Sequence, residues 1–379
     1  MKYLISGGGT GGHIFPAVSI ANALTELDPE ADILFIGALG RMEMERVPQA
    51  GYKIVGLPVQ GFDRKHLWRN FRVLYNMLRS MRMVRKIIRD FRPDVGVGVG
   101  GYASGAAMKQ AARMGVPILL QEQNGFAGVT NKLLKDDASL ICVAYEGMER
   151  FFPKEKLILT GNPVRQNLLS GTREEAFEYF NNPENNLSPF TFHLSPSKPT
   201  VLIIGGSLGA RTINEAIKAG LPQLTDLNVI WQTGKNYYDD CAAAVNQFTN
   251  LQTLNLQIVC TAFLSRMDLA YAAADLVISR AGASSISELC LLGKPCILVP
   301  SPNVAEDHQT HNAMALVRKD AAILVRDAEA QEQLIPTLLA TIRDKQCCDQ
   351  LHTNILTLAQ TDSARRIAEQ VIRLAKNKK

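Results

Sequence analysis

Three short runs of small residues in this 379-residue chain have the composition of anion sites. The first is Ser6-Gly7-Gly8-Gly9-Thr10-Gly11-Gly12-His13, and the second is Gly205-Gly206-Ser207-Leu208-Gly209-Ala210. Each follows a short apolar run that reads as a buried strand (residues 2–5 and 200–204) and precedes a helical pattern (16–27 and 212–221). Glycine lets the backbone approach a phosphate closely, and the first N–H groups of a helix carry partial positive charge. The third run, Ser279-Arg280-Ala281-Gly282-Ala283-Ser284-Ser285-Ile286-Ser287-Glu288, follows an apolar strand at 276–279 and opens a helix that continues to Leu291. Its small residues again expose N–H donors, and Glu288 can accept hydrogen bonds from two neighbouring hydroxyls of a ribose. Its alternative role is a carboxylate that only complements the helix dipole. Downstream, Glu306-Asp307-His308-Gln309 read as a polar loop ahead of a helix at 313–319. An amide such as Gln309 both donates and accepts, which suits sugar hydroxyls.

Gly7, Gly9 and Gly12 match G-x-G-x-x-G, so a nicotinamide or flavin site must be weighed. That fingerprint needs an acidic residue at the end of the second strand to hold the ribose. Here the second strand ends Gly37-Ala38, and the strand after the second turn ends Trp231-Gln232-Thr233-Gly234. Neither supplies the carboxylate. A P-loop needs Gly-Lys-Ser/Thr, and the chain has Gly12-His13-Ile14 instead. Dehydrogenase and ATPase readings both fail.

Strands must hold these turns in place. In the first half, runs at 33–37, 53–58, 95–98, 118–121, 140–144 and 157–160 read as strands between helical stretches. In the second half, 228–232, 256–260, 276–279, 296–299 and 322–325 do the same. Strands alternating with helices predict an α/β chain of two parallel-sheet, Rossmann-like domains, and two turn-bearing edges facing one another would form an interdomain cleft. Residues 181–199 hold four prolines, four asparagines and three serines and read as a surface loop or linker. The predicted division is 1–165 and 166–379, with the last helix free to pack back on the N-terminal domain. The length favours two cores over one, and 46% hydrophobic with 20% charged residues is the composition of a globular protein. No apolar run is long enough to span a bilayer, and the N-terminal residues read as a first strand instead of a signal peptide. Seven scattered cysteines without metal or disulfide spacing predict a reducing compartment.

Taken in order, six motifs resemble those of the MurG family of bacterial glycosyltransferases. They are residues 8–17 (Gly-Gly-Thr-Gly-Gly-His-Ile-Phe-Pro-Ala), Gly100-Gly101-Tyr102-Ala103-Ser104, Gln121-Glu122-Gln123-Asn124, Gly161-Asn162-Pro163-Val164-Arg165, the second glycine turn, and Arg280-Ala281-Gly282-Ala283 with Ser287-Glu288. The resemblance covers essentially the whole chain. It implies the two-domain GT-B architecture, an N-terminal domain for acceptor and membrane, and a C-terminal domain for UDP-N-acetylglucosamine. It implies that Thr10, Gly11, Gly12 and Asn124 reach the donor sugar or its surroundings, and that Arg165 and Ser207 lie near the diphosphate. By the same resemblance the backbone at Leu264 reads uracil. Ala283, Ser284, Ser285, Ile286, Ser287 and Glu288 line the nucleotide-sugar, with Glu288 on the ribose, and Gln309 contacts the donor sugar. Some members carry Gln-Gln where this chain has His308-Gln309.

The implied reaction is inverting transfer of N-acetylglucosamine to the muramyl 4-hydroxyl of a lipid-linked muramyl-pentapeptide, giving lipid II for peptidoglycan. His13 is the candidate base, because imidazole exchanges protons near neutral pH; a phosphate contact or a loop support is its other reading. No Asp-x-Asp occurs, and helix N-termini with Arg165 can stabilise the leaving diphosphate, so neither metal nor cofactor is expected. A UDP-N-acetylglucosamine 2-epimerase and a non-catalytic sugar-nucleotide sensor are the competing readings. A lipid-borne acceptor requires access to a membrane. Residues 62–93 offer it, with Leu67, Phe71, Leu74, Leu78, Met81, Val84, Ile88 and Phe91 at helical spacing among ten lysines and arginines and only Asp63 and Asp90. Part of that stripe has the alternative of packing on the sheet. The expected address is the cytoplasmic face of the bacterial plasma membrane, as a peripheral protein, with no nucleic-acid partner.

Overall fold

A computed structural model describes residues 1–9, 11–59, 70–164, 166–185, 193–206, 209–250, 256–304 and 307–377. Thr10, Arg165, Ser207 and Glu306, and residues 62–69 of the basic segment, therefore lie outside the described residues.

The chain divides into two compact units, one of Met1–Arg165 with Gln360–Lys379 and one of Gln166–Ala359. The first holds a seven-stranded sheet, β1 (Lys2–Ser6), β2 (Asp32–Ala38), β3 (Lys53–Leu57), β4 (Val95–Gly98), β5 (Ile118–Glu122), β6 (Leu140–Val143) and β7 (Leu157–Leu159), in the order β3-β2-β1-β4-β5-β6-β7. The second holds six strands, β8 (Thr200–Ile204), β9 (Asn228–Gln232), β10 (Gln257–Thr261), β11 (Leu276–Ser279), β12 (Cys296–Leu298) and β13 (Ile323–Leu324), in the order β10-β9-β8-β11-β12-β13. Every described pairing is parallel. The two sheets share one winding: the strand order reverses beside the first strand of each unit, between β1 and β4 and between β8 and β11. Such switch points are where ligands of doubly wound sheets bind.

Both faces of each sheet are covered, which is why the strands read as unbroken apolar runs. In β1, Tyr3 and Ile5 face one core with α1 (Gly11–Leu27), while Leu4 faces another with α3 (Asn70–Phe91) and α4 (Tyr102–Arg113). In β8, Val201 and Ile203 join one core and Leu202 and Ile204 the other. The last helix, α14 (Ser363–Asn377), returns to the first unit. Its Ala364, Ile367, Ala368, Val371 and Ala375 recur at helical spacing and pack into the core shared with α1.

Two predicted helix starts shift, for local reasons. α1 begins at Gly11 and not at Pro16, so Gly11, Gly12 and His13 form its first turn and Pro16 sits inside the helix. The glycines supply backbone N–H groups at a terminus where they have no intrahelical acceptors, while Pro16, the sixth residue, withholds one N–H from the helix ladder. Likewise α11 runs His308–Val317, which brings His308 and Gln309 into its first turn and out of the expected loop. Asp307 precedes it with φ of 49°, a left-handed conformation that Asp accepts more readily than most residues.

Candidate active site

In the second unit, the carboxyl ends of β8, β11 and β12 open onto a cavity of about 860 Å³. Gly205, Gly206 and Gly209 reach it from the second glycine turn, with Arg211 and Thr212 from the start of α7 (Arg211–Gly220). Arg280, Gly282 and Ser285 reach it from the β11 end, and Ser301, Asn303 and Gln309 from the β12 end. The cavity thus brings together the second turn, the third small-residue run and Gln309. Gln309 is itself oriented, since its Oε1 accepts from the Ser301 N–H at 2.9 Å.

Two cations and two carboxylates, Arg211, Arg280, Glu215 and Asp327, line this cavity. The Arg280 guanidinium is bound to Asp327 and donates to the carbonyls of Val299 at 3.0 Å and Pro300 at 3.3 Å. Asp327 also accepts from the Thr212 hydroxyl at 3.0 Å. Arg280 is thereby held rigid and largely neutralised, which leaves Arg211, exposed at the helix start, as the cation better able to meet an anion.

α10 (Ala283–Leu292) starts where the third run predicts. Ser285 faces the cavity, whereas Ile286 is buried in the hydrophobic core and Ser287 Oγ donates back to the Ala283 carbonyl at 2.9 Å. Ser284 is half-buried and Ala283 buried, both in the first turn of the helix. Glu288 is buried, and its Oε2 accepts from the Tyr271 hydroxyl at 3.0 Å. Leu264 is buried as well, and its N–H donates to Gln232 Oε1 at 2.9 Å. Among the described residues neither Glu288 nor Leu264 lines the cavity.

In the first unit, the turns after β1 and β4 meet. Gly101, at φ 90°, lies so close to Gly8 that a Cβ there would overlap the Gly8 carbonyl oxygen. The half-buried His13 imidazole packs over Gly100, where a Cβ would come within 2.8 Å of Nε2. Asn124, half-buried between β5 and α5 (Val129–Leu134), donates to Glu122 from its backbone at 3.2 Å and its side chain at 3.3 Å.

The motif around Asn124 is mostly framework. Glu122 also accepts from the Gly128 N–H and Asn131 Nδ2, both at 2.9 Å, and burial pushes its carboxyl above the usual range. Gln121 donates to Asn162 Oδ1 at 3.1 Å, and Asn162 donates to the Gln123 carbonyl at 3.0 Å. Gln123 donates to the Val99 carbonyl at 2.9 Å. Two of the six motifs are thus bonded to each other, one fixing the other beside the β4 turn.

Arg211, Thr212, Tyr237, Ser301, Asn303, Asp327 and Gln331 line the cavity without having been singled out from the sequence. Only Arg211 carried a readable signal, a cation directly after a glycine turn. Among the described residues no group of three or more His, Cys, Asp and Glu side chains could hold a metal ion.

Comparison with known proteins agrees with this architecture. The N-terminal domain of glycosyltransferase family 28 matches residues 3–142, and the family's C-terminal domain matches residues 200–371. Two matched domains, each a parallel sheet with a glycine turn at its switch point, define the class: a two-domain glycosyltransferase. The chain is 59% identical to a UDP-N-acetylglucosamine--N-acetylmuramyl-(pentapeptide) pyrophosphoryl-undecaprenol N-acetylglucosamine transferase of Bacteroides fragilis over 99% of this chain and 96% of the other. It is 52% identical to the protein of that name from Porphyromonas gingivalis, over 100% and 97%. A crystal structure of MurG from Acinetobacter baumannii superposes with a TM-score of 0.76 at 25% identity, over 98% of this chain and 99% of that one. A UDP-GlcNAc 2-epimerase from Neisseria meningitidis bound to UDP-GlcNAc shares the fold, with a TM-score of 0.69 at 14% identity over 98% and 100% of the two chains. The chain belongs to the MurG family.

Proposed function

We propose that the chain moves N-acetylglucosamine from UDP-N-acetylglucosamine to the muramyl 4-hydroxyl of lipid I, giving lipid II. The observation that carries this reading is the cavity at the β8/β11 switch point, lined by the second glycine turn, Ser285 and Gln309, in a chain 59% identical to a transferase of that name. The second unit binds the donor. Its diphosphate meets the second glycine turn, Ser207 and the N-terminal N–H groups of α7 with Arg211 beside them, and its sugar meets Gln309. Tyr271 donates to Glu288 Oε2 and so orients the carboxylate that meets the ribose in this reading. Leu264 has its N–H committed to Gln232, so its carbonyl is the group that reads the base.

The acceptor oxygen attacks the anomeric carbon and the bond from that carbon to the diphosphate oxygen breaks with inversion. The proton of the hydroxyl passes to His13, and UDP leaves with its new charge stabilised by backbone N–H groups and Arg165. Gly11 and Gly12 keep the first turn of α1 free of side chains around His13, and Thr10 and Asn124 reach the donor sugar.

The first unit carries the acceptor and meets the membrane from the cytoplasmic side. Along α3, Val84 and Ile88 are buried against the core, but Tyr75, Met77 and Leu78 are exposed among Arg79, Arg82, Arg85 and Lys86. Tyr102 on α4, which packs on α3, and Val129 and Leu133 on α5, which packs on α4, add exposed apolar side chains in the same unit. No described helix is long and apolar enough to cross a membrane. A basic rim around exposed apolar groups suits an anionic bilayer surface, at about 1 kcal/mol per basic residue.

Labelled UDP-N-acetylglucosamine supplied with the lipid-linked acceptor tests the reading. Label should enter lipid; label recovered as the manno-epimer, or bound without turnover, refutes it. His13→Ala should lower turnover with UDP binding kept, and Ser207→Trp should weaken UDP binding itself. The reverse pattern undoes the assignment of the two turns.

A further inference from the structure

The first glycine turn already holds an anion, and it belongs to the chain. Glu43 opens α2 (Glu43–Gln49) a few residues after β2 and is fully buried. Its Oε2 accepts from the Gly9 N–H at 2.9 Å, and its Oε1 accepts from the Ala38 N–H at 3.0 Å. One carboxylate thereby ties the turn after β1 to the end of β2. The glycines around it make room for that side chain: a Cβ at Gly8 would overlap Glu43 Oε1, and one at Gly37 would come within 2.6 Å of its Cγ. In phosphate-binding folds this seat beside the first strand is where backbone N–H groups meet the ligand.

The second turn is fastened differently. Gln232, at the end of β9, donates to the Gly206 carbonyl at 3.2 Å and accepts from the Leu264 N–H. That fastening is neutral and acts on a carbonyl. Among the described residues no carboxylate accepts from the backbone of the second turn. The two turns look alike in sequence but are fastened differently: a carboxylate side chain of the chain itself sits on the first, while the glycines of the second, held by an amide, line a cavity.

We propose that Glu43 is a positioning residue. It fills the anion seat of the first turn, so that this turn takes no phosphate through the Gly9 N–H. It also holds Gly7–Gly9 against Gly100 and Gly101, which fixes where α1 begins and keeps His13 over Gly100. Its catalytic consequence rests on the transfer reading above; the fastening of the turn does not.

The test uses Glu43→Gln and Glu43→Ala in the full chain. The amide of Glu43→Gln turns a donor toward either Gly9 or Ala38. Amide hydrogen exchange in residues 7–13 should rise at least tenfold, while exchange in residues 200–300 and the affinity for UDP stay within twofold of wild type. The kcat for transfer should fall tenfold or more, with KM for UDP-N-acetylglucosamine moving less than twofold. With UDP saturating the donor site, inorganic pyrophosphate should leave exchange in residues 7–13 of the wild type unchanged and should protect them in Glu43→Ala, where the seat is vacated. Wild-type exchange in Glu43→Gln, or pyrophosphate protection of the wild-type turn, would overturn the proposal. So would loss of UDP binding in step with turnover, because that pattern marks general unfolding. If Glu43→Ala does not fold, exchange and kinetics of Glu43→Gln decide. A wild-type protein that transfers no label sinks the transferase reading, and the exchange measurements still decide what Glu43 does.

Discussion

Replacing Glu122 by Gln tests whether the buried framework, and not only the groups facing substrate, governs transfer. Four donors converge on this carboxylate: the N–H and Nδ2 of Asn124 on Oε1, and the Gly128 N–H and Asn131 Nδ2 on Oε2. A glutamine keeps one oxygen and turns a donor toward two of the four. The less costly orientation aims its NH₂ at Asn124, which is half-buried and can turn to water, and leaves the oxygen on the more deeply buried Asn131 side. Orphaning buried donors costs about 1–3 kcal/mol each, and relief of the desolvated charge offsets part of that, so a net loss of about 1–3 kcal/mol is expected. For a unit of this size that lowers Tm by roughly 2–10 °C, readable by calorimetry. Asn124 loses its anchor, and kcat/KM for UDP-N-acetylglucosamine should drop about tenfold, equivalent to about 1.4 kcal/mol.

A pH arm sharpens the prediction. Burial pushes the Glu122 carboxyl above its ordinary range, so between the unfolded and the raised folded value the native state holds more protons than the unfolded one. Wild-type stability from this group is therefore complete below the ordinary glutamate range and is lost as pH rises through the raised value. Glu122→Gln has nothing to titrate there, so the stability gap between the two proteins should narrow as pH rises across that window. Wild-type Tm and kcat/KM in the variant, or a gap that widens with pH, would refute the reasoning.

Four further outcomes follow from the geometry. Tyr271→Phe removes the hydroxyl that orients Glu288, so Tm should fall by a few degrees and UDP affinity measured by titration calorimetry should weaken about three- to tenfold, the worth of one hydrogen bond; unchanged affinity would dissociate Tyr271 from the ribose. Gly101→Ala places a Cβ on the Gly8 carbonyl at a positive φ, and chemical denaturation should show a loss of at least about 2 kcal/mol, whereas a neutral result would mean the two turns separate freely. If backbone N–H groups and arginines carry the diphosphate, as proposed, transfer measured in excess EDTA should equal that in magnesium, and activity abolished by the chelator would reverse this. Tyr75→Ser with Leu78→Ser should abolish sedimentation with anionic vesicles while leaving UDP binding intact, and equal binding of the wild type to neutral and anionic vesicles would remove the membrane role.

The sheets were legible because strands covered on both faces must be apolar throughout, and a run such as Thr200–Ile204 admits little else. Helix starts were less so. The apolar period of α1 points to Pro16, yet the helix begins at Gly11, because glycines have no pattern of their own and a helix terminus is set by what its N–H groups meet in three dimensions. The cavity was half legible. Its glycine turn, Ser285 and Gln309 announce themselves by residue type and spacing, whereas Asp327 and Gln331 arrive from far down the chain and are brought in only by the winding order of the second sheet.

The sharpest divergence concerns the carboxylate of the dinucleotide fingerprint. Its absence from the ends of β2 and β9 argues correctly against a dehydrogenase, but absence at the strand end does not mean that no carboxylate is present. Glu43 lies five residues past Ala38 and folds back onto that strand end and the glycine turn, so it serves the backbone and not a ribose. Gln232 occupies the expected position on β9 and likewise spends its amide on the chain itself, holding Gly206 and Leu264. A linear motif records which residues stand near a turn and is blind to whether their polar groups are already committed. In this fold that commitment separates the two turns: the one with its own anion shapes the mount for His13, and the one whose donors stay uncommitted by any described carboxylate faces the cavity that suits a sugar nucleotide.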